Sequence, residues 1–402
     1  MRSNTLKAYL SGEMKNSLAA VSHFVGGRTA IPAAQALLIQ GDRHTGLNVT
    51  ATDLVVGIRA AIPAQVSAEG TVLIPPNLVD LVAGAQKVTL KQDGEYDLGV
   101  QTEAYKGKLK GLPAEEYPEE PPIVEELFSV PAAALKEILT TANFAGNNYP
   151  YIKLSWRPLG KGKIRLNAIG TDGFVAGVYT VDLPGTVEAG SVVIPNNSTK
   201  VFETLLSLSD ALSITLSKGT NKLMASDDKA VCWACLSNIA YPEVEKVFTT
   251  LDNAKGEGIL RLAEIDFGAS KMMALMAGEK STAGVIKFGS DEVLLMSQET
   301  SLGSGQFSIP FAESSVTEDI SIAIGFELVR RVAGSFSQLT DKKGGNAKVS
   351  IFSDRKPLLF KMQTSGGGRI ATVLMPMAKS PEKQPAPSEE EAGDNEETQN
   401  QS

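Results

Sequence analysis

A weak internal repeat of about 120 residues constrains this chain more than any other feature of its 402 residues. A Thr-Asp turn follows an alternating strand pattern at 47–54 (LNVTATDL) and again at 164–174 (IRLNAIGTDGF), with Asp53 and Asp172 standing 119 residues apart. A β-rich run ends in Ile-Pro and opens a helix from Val72 (VLIPPNLVDLVAGA) and from Val192 (VVIPNNSTKVFETLLSL), with Pro75 and Pro195 120 apart. An aromatic-Pro-Glu turn recurs at Tyr117-Pro118 and Tyr241-Pro242, with the prolines 124 apart. Self-similarity at a fixed period marks one supersecondary unit built more than once.

Each repeat opens on a helical pattern. Leu10, Met14, Leu18, Val21 and Val25 recur at three- and four-residue spacing, which places them on one helix face. Segments 131–144 and 263–277 take the same place later. A third, more diverged repeat keeps a helix at 326–336 and closing strands at 358–363 and 370–377, without a clear Thr-Asp turn. The order helix, strands, second helix, strands, taken three times, predicts an α+β class of three consecutive similar domains. Their expected bounds are 1–125, 126–250 and 251–378, with acidic, Pro-rich connections near 119–126 and 249–258. Many strands and few short helices predict extended antiparallel sheets with the helices collected on one face.

The remaining stretch, 379–402, carries three prolines, seven acids, two lysines and no apolar periodicity. Such a composition buries too little surface to offset its ordering entropy, so a disordered acidic tail is expected. It holds −5 of the net charge of −8 and leaves the body at −3, so the overall acidity does not exclude a nucleic-acid partner. No apolar run approaches the ~20 residues of a membrane span, and Met1-Arg2-Ser3-Asn4-Thr5 lacks the features of a secretory signal. A soluble, cytoplasmic protein with no membrane partner is expected.

Signatures of catalysis are missing. The chain contains no G-x-S-x-G, no H-E-x-x-H, no G-x-x-x-x-G-K-[ST] and only two histidines, His23 and His44. Asp53 and Asp172 are the best acid candidates, but each follows a threonine at a strand end, where carboxylate and hydroxyl bond the turn backbone. Cys232 and Cys235 form a C-x-x-C within a strand pattern, which points them to opposite faces, and no second ligand pair accompanies them. Gly366-Gly367-Gly368-Arg369 precedes no helix and reads as a hairpin turn. No metal, disulfide or cofactor is implied.

Several patches in fixed order resemble the β subunit family of bacterial DNA polymerase III: GGRTAIP from Gly26, TATDL from Thr50, LPAEEYP from Leu112, GTDG from Gly170 and VLMPM from Val373. The resemblance covers residues 1–377. It implies a sliding clamp without chemistry of its own: three domains of one fold per subunit and a homodimer closed head to tail, with helices lining the hole and sheets outside. Duplex DNA would be held by topology and without sequence readout, and polymerase and clamp-loader subunits would bind through short linear peptides. A non-catalytic interaction scaffold on the same domains, not encircling DNA, is the alternative.

Carried over residue by residue, the resemblance implies Arg28 near DNA, with Lys15, Lys200, Lys271 and Arg330 as helix-borne candidates. Where family members often carry basic residues after the second Ile-Pro, this chain has Asn196 and Asn197; Asn147 and Asn148 are further DNA candidates. The implied peptide pocket takes Thr171, Gly173, Phe174, Val175 and Ala176 as one wall with Tyr149 nearby. Its floor would be Pro242 and Val247, and its other wall Val373, Leu374, Met375, Pro376 and Met377. Apolar walls and pliable thioethers suit varied peptide anchors. Phe174-Val175-Ala176 replaces a more polar stretch of the family, which predicts an altered peptide preference. For the dimer contact the resemblance implies Leu109 against Leu275 and Met276, with Gly107 where an aromatic is frequent.

Overall fold

Strands and helices alternate in one order three times along the chain. In a computed structural model, residues 5–11, 15–27, 29–279, 281–340 and 345–377 are described; Arg28 and the acidic stretch 379–402 lie outside them, and of Lys15 only the backbone is described. The first run comprises β1 (Lys7–Ser11), α1 (Lys15–Ser22), β2 (Leu37–Asp42), β3 (Gly46–Thr52), β4 (Val56–Ile62), β5 (Gln65–Ala68), β6 (Gly70–Ile74), α2 (Leu78–Val82), β7 (Lys87–Asp93), β8 (Asp97–Gln101) and β9 (Lys106–Leu109). The second comprises β10 (Ile123–Pro131), α3 (Ala132–Leu139), β11 (Tyr151–Gly160), β12 (Lys163–Thr171), β13 (Val175–Pro184), β14 (Gly190–Pro195), α4 (Thr199–Leu208), β15 (Ser213–Gly219), β16 (Lys222–Ser226), β17 (Ala230–Cys235) and α5 (Glu245–Thr249). The third comprises β18 (Gly256–Arg261), α6 (Leu262–Leu275), β19 (Ala283–Phe288), β20 (Glu292–Ser297), β21 (Gln306–Pro310), β22 (Glu313–Ser314), β23 (Ile320–Gly325), α7 (Phe326–Ser337), β24 (Asn346–Ile351), β25 (Leu358–Gln363) and β26 (Arg369–Leu374).

Each run makes two antiparallel layers over a pair of helices, as expected for an α+β fold. Neighbouring runs share sheets. Strand β17 pairs with β4, giving an eight-stranded sheet β10-β15-β16-β17-β4-β3-β2-β6. Strand β26 pairs with β13, giving β14-β11-β12-β13-β26-β25-β24-β18-β22. At the first joint Gly57 stands opposite Trp233, and a Cβ there would lie 2.2 Å from the indole, so the strands close only over a glycine. One five-stranded sheet, β5-β1-β7-β8-β9, and one four-stranded sheet, β21-β20-β19-β23, remain, with β9 and β21 as edges.

The Thr-Asp turns are the same structure twice. Asp53 Oδ1 accepts the N–H groups of Val55 and Val56 at 2.9 and 2.7 Å, and Asp172 Oδ1 accepts those of Phe174 and Val175, both at 2.8 Å. Thr52 and Thr171 donate their hydroxyls to the carbonyls of Val56 and Val175. The third turn residue has positive φ in both, Gly173 at 94° and Leu54 at 77°. This accounts for both aspartates as turn residues.

Helix α7 illustrates how the helices bury one face: Phe326, Val329, Val332, Ala333 and Phe336 point inward at three- and four-residue spacing. Each large side chain contributes roughly 2 kcal/mol of burial. The opening helix differs from the sequence expectation. Leu10 lies in β1, whose residues pair with both β5 and β7, and α1 begins only at Lys15. Likewise Glu125 and Glu126 belong to strand β10, so the first acidic connection is shorter than expected. Cys232 is enclosed in the core, which pushes its thiol up, while Cys235 lies 3.2 Å from the Lys222 ammonium. Among the described residues no helix is long and apolar enough to cross a membrane.

Candidate functional site

The β12–β13 turn, α5 and β26 enclose an apolar cavity of about 240 Å³. Tyr149, Thr171, Gly173, Phe174, Val175 and Ala176 line one side, Pro242 and Val247 another, and Val373 and Met375 the third. The Thr-Asp turn fixes the first side. Asp172 Oδ2 also accepts from Arg331 Nη1 at 2.7 Å, tying the turn to α7. Met375 donates its N–H to the carbonyl of Phe174 at 2.9 Å, locking the third side to the first. Phe174 itself projects outward, 59% exposed.

Beneath the cavity Ile169, Ala176, Val244 and Val373 pack with Val247, Phe248 and Tyr241 in a small core of their own. Tyr241 donates its hydroxyl to the carbonyl of Ile169 at 3.0 Å, and burial raises its pKa. The recess is apolar and preformed, with the Met375 thioether in its lining and an exposed aromatic, Phe174, at its rim.

Three expected wall residues lie elsewhere. Leu374 is buried in the core of the third run, because β26 alternates and its neighbour Val373 takes the cavity side. Pro376 does not line the recess, and Met377, 40% exposed, donates its N–H to the carbonyl of Ala323. Glu243 and Val244 join the lining instead; they stand between the two expected floor residues.

The basic and amide candidates spread over the helices. Arg28 lies outside the described residues, and the backbone of Lys15 opens α1. Asn147 and Asn148 sit in a tight loop closed by the Gly146–Tyr149 bridge, and Asn148 donates to the carbonyl of Asp172 at 3.3 Å. Asn197 and Lys200 are exposed at the start of α4. Lys271 extends over the Phe267 ring at 4.9 Å, and Arg330 Nε reaches Asp266 Oδ1 at 3.1 Å. The Arg330 pair is exposed, worth at most about 1 kcal/mol, so a phosphate can compete for it.

At the free edges, Leu109 is half-buried against its own core and Leu275 half-buried against another. Met276 is only 3% exposed, so it has little surface left for a second copy. The apolar groups that do stand at the β21 edge are Phe267, 53% exposed, and Phe307, their rings edge to face at 5.7 Å. Sequence reading missed both, since nothing in a single run of residues brings α6 and β21 together. On β9, the Tyr105 hydroxyl leans over Gly107, where a Cβ would come within 1.9 Å of it, so an aromatic covers that position from two residues away.

Residues 12–121 match the family model described as DNA polymerase III beta subunit, N-terminal domain. Among curated relatives, the beta sliding clamp of Synechococcus elongatus is 34% identical over 140 residues, 33% of this chain and 37% of that protein. The Proteus mirabilis beta sliding clamp is 25% identical over 243 residues, 58% of this chain and 65% of that protein. The aligned part of the chain thus spans less than two thirds of either relative. Among solved structures, the Bacillus subtilis DNA polymerase sliding clamp superposes with TM-score 0.79 at 16% identity, covering 93% of this chain and 100% of that one. A Pseudomonas aeruginosa sliding clamp bound to griselimycin gives 0.78 at 17% identity, covering 93% and 99%. The chain is thus similar to the DNA polymerase III beta subunit family in residues 12–121 and shares the fold of solved sliding clamps along nearly its whole length.

Proposed function

We propose that this protein is a DNA sliding clamp that closes head to tail with a second copy around duplex DNA and tethers polymerases through the apolar recess. The observation that carries the reading is the pattern of sheet edges. Twice in the chain, the last strand of one run pairs antiparallel with the fourth main strand of the run before it: β17 with β4, and β26 with β13. Of the strands at these two positions in the repeat, β9 in the first run and β21 in the third lack such a partner and are sheet edges. Pairing β9 of one copy with β21 of another repeats the joint a third time and covers both edges, which otherwise invite aggregation. Domains near 1–125, 126–250 and 251–378 fit the same repeat, with β10, from Ile123, already part of the second.

In such a ring the helices face the hole. Ordinary DNA binders gain affinity by neutralising phosphates and lose it steeply with salt. A closed ring is held by topology, so a few weakly engaged cations suffice, and contacts to phosphate read no sequence. Arg28, Lys15, Lys200, Lys271 and Arg330, with Asn147, Asn148 and Asn197, supply that surface. The recess takes short peptides of polymerase and clamp-loader subunits, with Phe174 at its rim altering preference. The protein contributes no chemistry and needs no cofactor.

The test combines native mass with retention on nicked circular and linearised DNA after loading by a cognate loader. A dimer kept on circles and lost from linear ends is expected. A monomer that treats circular and linear DNA alike would overturn the ring and favour the non-encircling scaffold.

A further inference from the structure

A second concavity, about 800 Å³, lies on the same sheet beyond α5, over β13, β26, β25 and β24. Val178, Met362 and Phe248 line it together with Lys348, Lys361 and Arg369. All three cations are exposed. Lys348 and Lys361 stand directly opposite each other on paired strands, an arrangement that like charges disfavour. Lys348 finds relief in Glu257 at 2.6 Å. Lys361 and Arg369 make no ion pair among the described residues. The one carboxylate in the lining, Glu245, is held at 3.0 Å by Lys153. Glu257 also lies near Lys361, and Asp182, bonded to Arg165, near Arg369, so the face carries an excess of positive charge, only partly offset, on a protein whose net charge is −8.

We infer that this groove is the docking site of the chain's own acidic segment, residues 389–397. That segment, EEEAGDNEE, has six acids and no base. The groove begins at Arg369, the first residue of β26, and the chain leaves the same strand toward Met377. Five residue steps along β26 cover about 17 Å, and three more add about 10 Å at most. The twelve residues from Met377 to Glu389 reach up to about 40 Å. The acids can therefore turn back across α5 into the groove of their own subunit. Each exposed ion pair alone is weak, but tethering supplies an effective concentration on the order of millimolar. The inference does not depend on what enters the apolar recess.

Zero-length carbodiimide coupling of the full chain, read by mass spectrometry, tests this, because it joins only carboxylates and amines in contact. Links from Glu389–Glu397 to Lys361 and Lys348 are expected at least five-fold above those to Lys7, Lys91 and Lys106. Those lysines line the other basic concavity, on the five-stranded sheet, and serve as the internal rival. Arg369→Glu, which leaves both reporter lysines in place, should lower the links at least five-fold, as should 1 M salt, where the Debye length shrinks to about 3 Å. A tail with Gln for Glu389, Glu390 and Glu391 guards against misfolding of the groove variant and should weaken the remaining links equally. Links spread evenly over exposed lysines, concentrated on Lys7, Lys91 and Lys106, or formed only between differently labelled copies would overturn in-chain docking.

Discussion

Among the described residues, Glu137 on α3 is a heavily bonded buried carboxylate and the best place to test the energetics. It is 5% exposed, yet its carboxylate accepts from Tyr179 Oη, Thr364 Oγ1 and the Gly366 N–H, each at 2.7 Å. Two of these donors come from the β25–β26 turn, 227 and 229 residues away, so one side chain fastens the second run to the third. Gly366 is required there, since a Cβ would lie 2.8 Å from the carboxylate. In Glu137→Ala these three donors, together with Ser365 Oγ at 3.4 Å, lose their acceptor in a largely buried site. Each stranded donor costs about 1–3 kcal/mol, while removing the carboxylate recovers its own desolvation, and the two hydroxyls can partly satisfy each other. The expected net loss is about 3–4 kcal/mol, a large share of the 5–15 kcal/mol typical of a folded domain. Glu137→Gln keeps an acceptor for Gly366 and offers its amide to the hydroxyls as acceptors, so about 1–2 kcal/mol is expected. Urea denaturation gives the stabilities, and amide exchange at Gly366 reports the turn. Equal losses in the two variants, or less than about 1 kcal/mol for Glu137→Ala, would refute the reasoning.

Other perturbations follow from the same geometry. Burial raises the pKa of Tyr117 and Tyr179, with Glu137 adding to the rise at Tyr179. Their folded pKa values lie above the unfolded value of 10, so stability is intact below pH 10 and falls by about 1.4 kcal/mol per pH unit for each phenol above it. Tyr117 Oη has no hydrogen-bond partner among the described residues, so Tyr117→Phe should cost little at pH 7 and remove one phenol's share, about 1.4 kcal/mol per pH unit, from the alkaline slope to which buried Tyr241 also contributes. Val247→Asp should abolish binding of an aromatic-aliphatic peptide in fluorescence polarisation and leave the fold unchanged, whereas Phe174→Ala should weaken it about ten-fold, or 1.4 kcal/mol. Unchanged affinity in Val247→Asp would exclude the recess as the binding site. Phe307→Asp should shift the native mass to monomer without lowering the unfolding free energy by more than about 1 kcal/mol, since the ring stands at an edge. A dimer of unchanged strength would reject the β9–β21 joint.

The sequence alone determined what depends on neighbours a few residues apart. Thr52-Asp53 and Thr171-Asp172 close their turns with bonds to residues two to four positions on, so the motif carries its own geometry. Helices α3, α6 and α7 declared themselves through a 3.6-residue period, and the recess was legible as apolar residues clustered in three short segments. Pairing across the chain was not legible. Leu10 fits a helical spacing, yet its segment is a strand because β5 and β7 flank it on both sides. Val373 and Leu374 are equally apolar, and only the partner strand decides which of them faces the recess. The Arg330–Asp266 pair, the Glu137 cluster and the row of cations on β24, β25 and β26 join residues remote in sequence. Local dihedral preferences and periodicity are written into short stretches of sequence, whereas edges, registers and buried charge partners are settled only when distant strands meet and must satisfy one another's backbone and charge.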